Sequence, residues 1–181
     1  MLVVISDLHL GDGTTADSIS PGAFRLFAKR LNETARFASW RKDGRYRPIE
    51  NLDVLLMGDI LDPLHSTHWL DTIPSDTNYV RPWSDPGNSN YAPKLLEVTR
   101  AILEENKEAM YILRRCASGE EILLEPADSQ GNPDFQSTWQ IPLKVRFHYM
   151  VGNHDWYYHL KGGAFDKIRL EVIQKMGLSN P

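Results

Sequence analysis

The sequence predicts an α/β domain with one mostly parallel sheet and flanking helices. Three apolar runs of strand length, Leu2-Val3-Val4-Ile5, Val54-Leu55-Leu56-Met57 and Leu143 to Val151, supply the strands. Each ends in a polar motif: Asp7-Leu8-His9, Gly58-Asp59-Ile60-Leu61-Asp62 and Gly152-Asn153-His154-Asp155. A segment of helical period lies between the first two runs, which makes a βαβ unit. Functional groups of an open α/β sheet collect beyond the carboxyl ends of its strands, so the three motifs are expected on one rim.

After the first motif, Gly11 to Thr15 reads as a loop. Ser20-Pro21 then offers a cap followed by proline at the first helical position. Phe24, Phe27, Leu31, Ala35 and Ala38 recur at helical spacing and predict a helix from about Gly22 to Trp40. The next strand spans Asp53 to Met57. Residues 63–93 hold five prolines and two tryptophans and break every period. They predict a long loop that overhangs the motif rim. His65, His68, Trp69 and Trp83 could there touch a substrate, or the aromatic rings could pin the loop to the body. A second helix is expected from about Lys94 to Arg115, a short strand at Glu121 to Glu125, and a turn at 128–133. Leu143 to Val151 carries Arg146 and His148 on one face and Val145, Phe147 and Tyr149 on the other. Ala164 to Met176 reads as the last helix, stopped by Gly177.

Composition narrows the functional classes. With 181 residues and a net charge of −4, the chain suits one domain with one core and has no broad attraction for nucleic acid or anionic membrane. The basic cluster Arg41, Lys42, Arg45 and Arg47 falls on a connection and is expected at the rim opposite the motifs. No window reaches the ~20 apolar residues of a membrane span. The first strand starts without a basic leader, so a cytoplasmic protein is expected. The lone Cys116 follows Arg114-Arg115; it reads as buried filler, with a charge-activated thiol as the alternative.

The motifs carry the chemistry. Two-metal catalysis requires cations about 3.5 to 4 Å apart, oxygen and nitrogen ligands, and one bridging carboxylate. On an extended segment Asp7 and His9 share a face and can reach one ion. Asp59 follows a glycine that permits close backbone approach, and is the natural bridge. Asn153 offers a neutral oxygen to a second ion, and His154 can face a leaving group. Each motif alone is common; three in order, each after an apolar strand, point to a shared site.

From Met1 to about Asp155 the chain resembles the calcineurin-like metallophosphoesterase superfamily. The resemblance implies a four-layer α/β/β/α sandwich that hydrolyses phosphoric mono- or diesters with a water activated by two divalent ions, Mn, Fe, Zn or Co. It implies that Asp7 and His9 bind the first metal, Asp59 bridges, Asn153 binds the second, and His154 acts on the leaving oxygen or stabilises the phosphoryl charge. Asp62 and Asp155 take positions where the family places carboxylates that orient the ligands. A phosphorylated small molecule or ester is the expected substrate.

In that family a further metal-binding histidine and a Gly-His-x-His motif follow, and neither is in this sequence. His148 lies four residues before Gly152, roughly 13 Å below the rim at about 3.3 Å per residue. His65, His68 and His159 lie on rim segments without the family's context. Residues 1–181 therefore read as the N-terminal part of a metallophosphoesterase domain whose C-terminal half is absent. An inactive or weakly active chain is expected, one that self-associates through an uncovered apolar sheet face. A non-catalytic binding module with the same fold is the alternative.

Overall fold

A computed structural model describes residues 1–179. Three parallel strands, β1 (Leu2–Ile5), β2 (Leu52–Met57) and β5 (Val145–Met150), form a sheet in the order β1-β2-β5. The register sets Ile5 beside Leu56 and Met57 beside Met150, so the three carboxyl ends lie together. A two-stranded antiparallel ribbon, β3 (Leu123–Leu124) with β4 (Ile141–Pro142), is all that forms of the strand expected at Glu121 to Glu125.

Helix α1 (Pro21–Ala38) begins as expected: Ser20 Oγ accepts the Gly22 N–H, Pro21 opens the first turn, and Phe24, Ala28, Leu31 and Ala35 are buried. The helix expected over Lys94 to Arg115 is instead two, α2 (Tyr91–Glu105) and α3 (Lys107–Ser118). They break at Asn106, whose Nδ2 donates to Ile102 O at 2.9 Å and to Gly11 O at 2.8 Å. A side-chain amide that bonds its own preceding turn competes with the helix, and here it also ties the break to the loop after the first motif. Helix α4 (Gly163–Met176) ends at Gly177, which takes the left-handed conformation at φ 71°.

Strand order advances in one direction from β1 to β5. The helices pack as a layer, α1 on α3, α3 on α4 and α4 on α2. Leu52, Val54, Leu56, Val145 and Phe147 face them and are buried. The other face is bare: Leu2 is 63% exposed, Val4 47%, Met57 48% and Met150 54%. On the same face Asp53 accepts bonds from Arg146 and His148, which accounts for His148. Parallel sheets are almost always covered on both faces.

Within residues 63–93 the expected long loop holds for 71–90, which form no helix or strand, and the ends are regular. They form two 3-10 turns, Pro63–His65 and Thr67–Leu70, and Pro93 lies in the first turn of α2. Arg81 donates to the Trp69 and Thr72 carbonyls and closes the segment on itself. Trp69 is 1% exposed, its Nε1 donates to Pro63 O, and its ring lies against Tyr91 and Tyr157. It anchors the loop.

Cys116 is fully buried in α3, and burial pushes its thiol up to about 12, with the Glu121 charge acting in the same direction. The charge-activated alternative is thereby removed. The basic cluster sits in the turn between α1 and β2, at the strand-entry end, where Arg47 bonds Asp43 at 2.8 Å. Among the described residues no helix is long and apolar enough to cross a membrane.

Candidate metal centre

β1 and β2 end, yet their backbones stay zipped through the motifs. His9 N donates to Asp59 O at 2.9 Å, Leu10 N to Ile60 O at 2.9 Å, and Asp62 N to Leu10 O at 2.9 Å. Within this zipper Asp7, His9 and Asp59 adopt φ of 56°, 47° and 53°, the only positive values among described non-glycine residues. Asp and His enter this region more readily than most residues, but each instance still costs about 1 to 2 kcal/mol. Such strain persists where surrounding bonds over-determine it, and it gathers at functional sites. Asp7 and His9 therefore come together by left-handed turns, not by the strand alternation expected from their spacing. Donor atoms of Asp7, His9 and Asp59 lie within 4.8 Å of one another.

The third motif is fitted against the second. Gly58 takes φ 76° and passes Gly152 closely, while His154 N donates to Asp59 Oδ1 at 2.8 Å. A Cβ on Gly152 would strike Asp59 Oδ1 and lie 2.7 Å from Asp59 N. Because backbone is in the way, no rotamer change relieves the clash. Gly152→Ala is expected to destabilise the fold by ~1 to 3 kcal/mol, read by urea unfolding, and to displace Asp59.

Asp155 is fully buried. Its Oδ2 accepts from Ile60 N at 3.0 Å and Tyr149 Oη at 2.6 Å, and its Oδ1 from Gly152 N. Tyr149 also receives Leu61 N at 3.2 Å. One carboxylate thus ties both motif loops to β5. Tyr149 was missed by sequence reasoning; its place on the buried face of a strand signalled core alone. Burial first, then the Asp155 charge, drives its hydroxyl well above the ordinary range, so it stays a donor.

Asp62 collects the imidazoles. Its carboxylate lies 2.8 Å from His65 Nδ1 and 3.4 Å from both His9 Nδ1 and His154 Nδ1. Burial is the largest single influence and opposes ionisation, yet bonds and charge from His65 and His154 hold this carboxyl below the usual aspartate range. The Asp62 carboxylate thus faces the Nδ1 edge of each ring, and each Nε2 points away. The rings follow in order, His9 to His154 at 4.6 Å and His154 to His65 at 5.1 Å between centroids.

The remaining candidates separate. Asn153 is exposed between Gly152, which packs against Asp59, and His154, whose N–H bonds the Asp59 carboxylate. His68 belongs to another group with Asp71 and Glu97, where the Lys94 ammonium already bonds both carboxylates at 2.9 and 3.0 Å. Trp69 has no exposed face to offer a substrate. Trp83 is exposed, and His159 is exposed at the end of the 3-10 turn Trp156–His159.

The donor set fits a divalent cation: two carboxylates and an imidazole converge from backbone held in strained turns, with Asn153 and His154 adjoining. No protein-family model matches the chain, and neither a curated protein nor a solved structure was found to match it.

Proposed function

We propose that this centre serves a metal-dependent hydrolase of phosphoric esters of the calcineurin-like kind. The observation that supports it is the convergence of Asp7, His9 and Asp59 within 4.8 Å, with the His154 backbone bonded to the same Asp59 carboxylate. Asp7 and His9 would hold one ion, Asp59 would be shared, and Asn153 would reach the second. Nitrogen and oxygen donors of this mixture do not choose between Mn, Fe, Zn and Co. When bound, a pair of divalent ions neutralises phosphoryl charge and lowers the pKa of a water toward ~7. His154, fixed through Nδ1 by Asp62, would present Nε2 to the leaving oxygen and give it a proton. The Gly58 and Gly152 backbones let the loops close without side chains between them.

Calorimetric titration with Mn, followed by hydrolysis of p-nitrophenyl phosphate, tests the reading. Saturable Mn binding is expected, with Mn-dependent turnover that is weak at most. No binding ends it, and binding without turnover replaces it with a non-catalytic module.

The bare sheet face supports the four-layer sandwich, in which a second sheet would cover Leu2, Val4, Met57 and Met150. As described, that face favours self-association. Light scattering is expected to show mass rising with concentration; a monodisperse monomer that binds no hydrophobic dye would count against this.

A further inference from the structure

His65 lies outside the three motifs, yet the fold brings it into their centre. It stands three residues beyond Asp62, in the 3-10 turn that Asp62 itself caps by accepting the His65 N–H. The turn swings the ring back so that Nδ1 makes the shortest of the three imidazole contacts to Asp62, 2.8 Å. Its ring is the outermost of the series, one beyond His154, and its side chain is 58% exposed against 22% for His154. A half-exposed imidazole with one nitrogen fastened to a buried carboxylate is oriented without being packed away. What remains available is Nε2, at the open edge of the centre.

We propose that His65 is a substrate contact whose Nε2 donates to a non-bridging phosphoryl oxygen, and that it inclines the site toward phosphate monoesters. The inference rests on the phosphoesterase reading above. With Nδ1 turned onto Asp62, Nε2 is the ring nitrogen left to meet a substrate oxygen. A monoester has three non-bridging oxygens and a diester two. A donor beyond the residues that would hold the metal is of use to the third oxygen, which only the monoester has. A role as metal ligand fits less well, because His154 lies between His65 and the Asp7, His9 and Asp59 group.

Inorganic phosphate is the probe, titrated calorimetrically into the Mn-loaded chain. His65→Ala is expected to weaken phosphate binding by about tenfold or more, the usual loss for a hydrogen bond to a charged group, with Mn affinity unchanged. His65→Arg, which supplies a charged donor at the same place, should recover most of the phosphate affinity. In turnover, His65→Ala should lower kcat/KM for p-nitrophenyl phosphate and spare bis(p-nitrophenyl) phosphate. The exposed ring makes folding a minor concern, and thermal midpoints matched to the unaltered chain serve as the control. Unchanged phosphate affinity in His65→Ala overturns the proposal. So does an equal fall for monoester and diester, which marks a structural role, or a fall in Mn affinity, which marks a ligand. Failure of the unaltered chain to bind Mn is a separate result, and removes the metal reading together with this inference.

Discussion

Asp59→Asn is expected to abolish Mn binding in the accessible range, with affinity falling by at least about 100-fold, the upper end of what loss of an outer partner alone produces. The substitution isolates charge from shape. Asparagine tolerates the left-handed backbone at φ 53° as aspartate does, and its amide oxygen can still accept the His154 N–H. Without a cation Asp7 and Asp59 are like charges in one small group, so neutralising one should leave the metal-free stability equal or higher. Calorimetry for Mn and urea unfolding without metal make the pair of measurements. Retained Mn affinity would falsify the assignment of Asp59 to the centre.

The largest loss of stability is expected from Asp155→Ala. It removes the acceptor for Ile60 N–H, Gly152 N–H and the Tyr149 hydroxyl at a fully buried position. Each donor left unsatisfied costs about 1 to 3 kcal/mol, less where the site relaxes, and breaking a buried charged network costs ~3 to 5 kcal/mol in all. That is a large part of the ~5 to 15 kcal/mol by which a domain is stable. Asp155→Asn should rescue little, because its NH2 group would face a donor. Urea midpoints measure both; a change below about 1 kcal/mol in Asp155→Ala would show that the loops are held elsewhere.

These effects differ in how far they could be read from residues alone. The strand runs ahead of each motif, the capped helix after Ser20-Pro21 and the stop at Gly177 were legible because local periodicity and capping chemistry decide them. The helix break at Asn106 was not, since it depends on a bond to Gly11, 95 residues away. Proline content misled only at the ends of residues 63–93: Pro63 opens a 3-10 turn and Pro93 lies in the first turn of α2, positions where proline is welcome. Trp69 and Trp83 looked equivalent as loop tryptophans, and tertiary packing buried one and exposed the other.

By itself the sequence determined which chemistry-bearing residues exist, that each cluster follows an apolar strand, and hence the α/β class with one rim. Only the tertiary structure decided how those residues approach one another. Asp7, His9 and Asp59 meet through left-handed turns that no periodicity encodes, His65 joins them by a turn folded back on Asp62, and Asp155 reaches across to the second motif. The physical reason is that propensity and capping act over a few residues, whereas strained backbone and shared buried carboxylates are held by bonds between segments 50 to 95 positions apart.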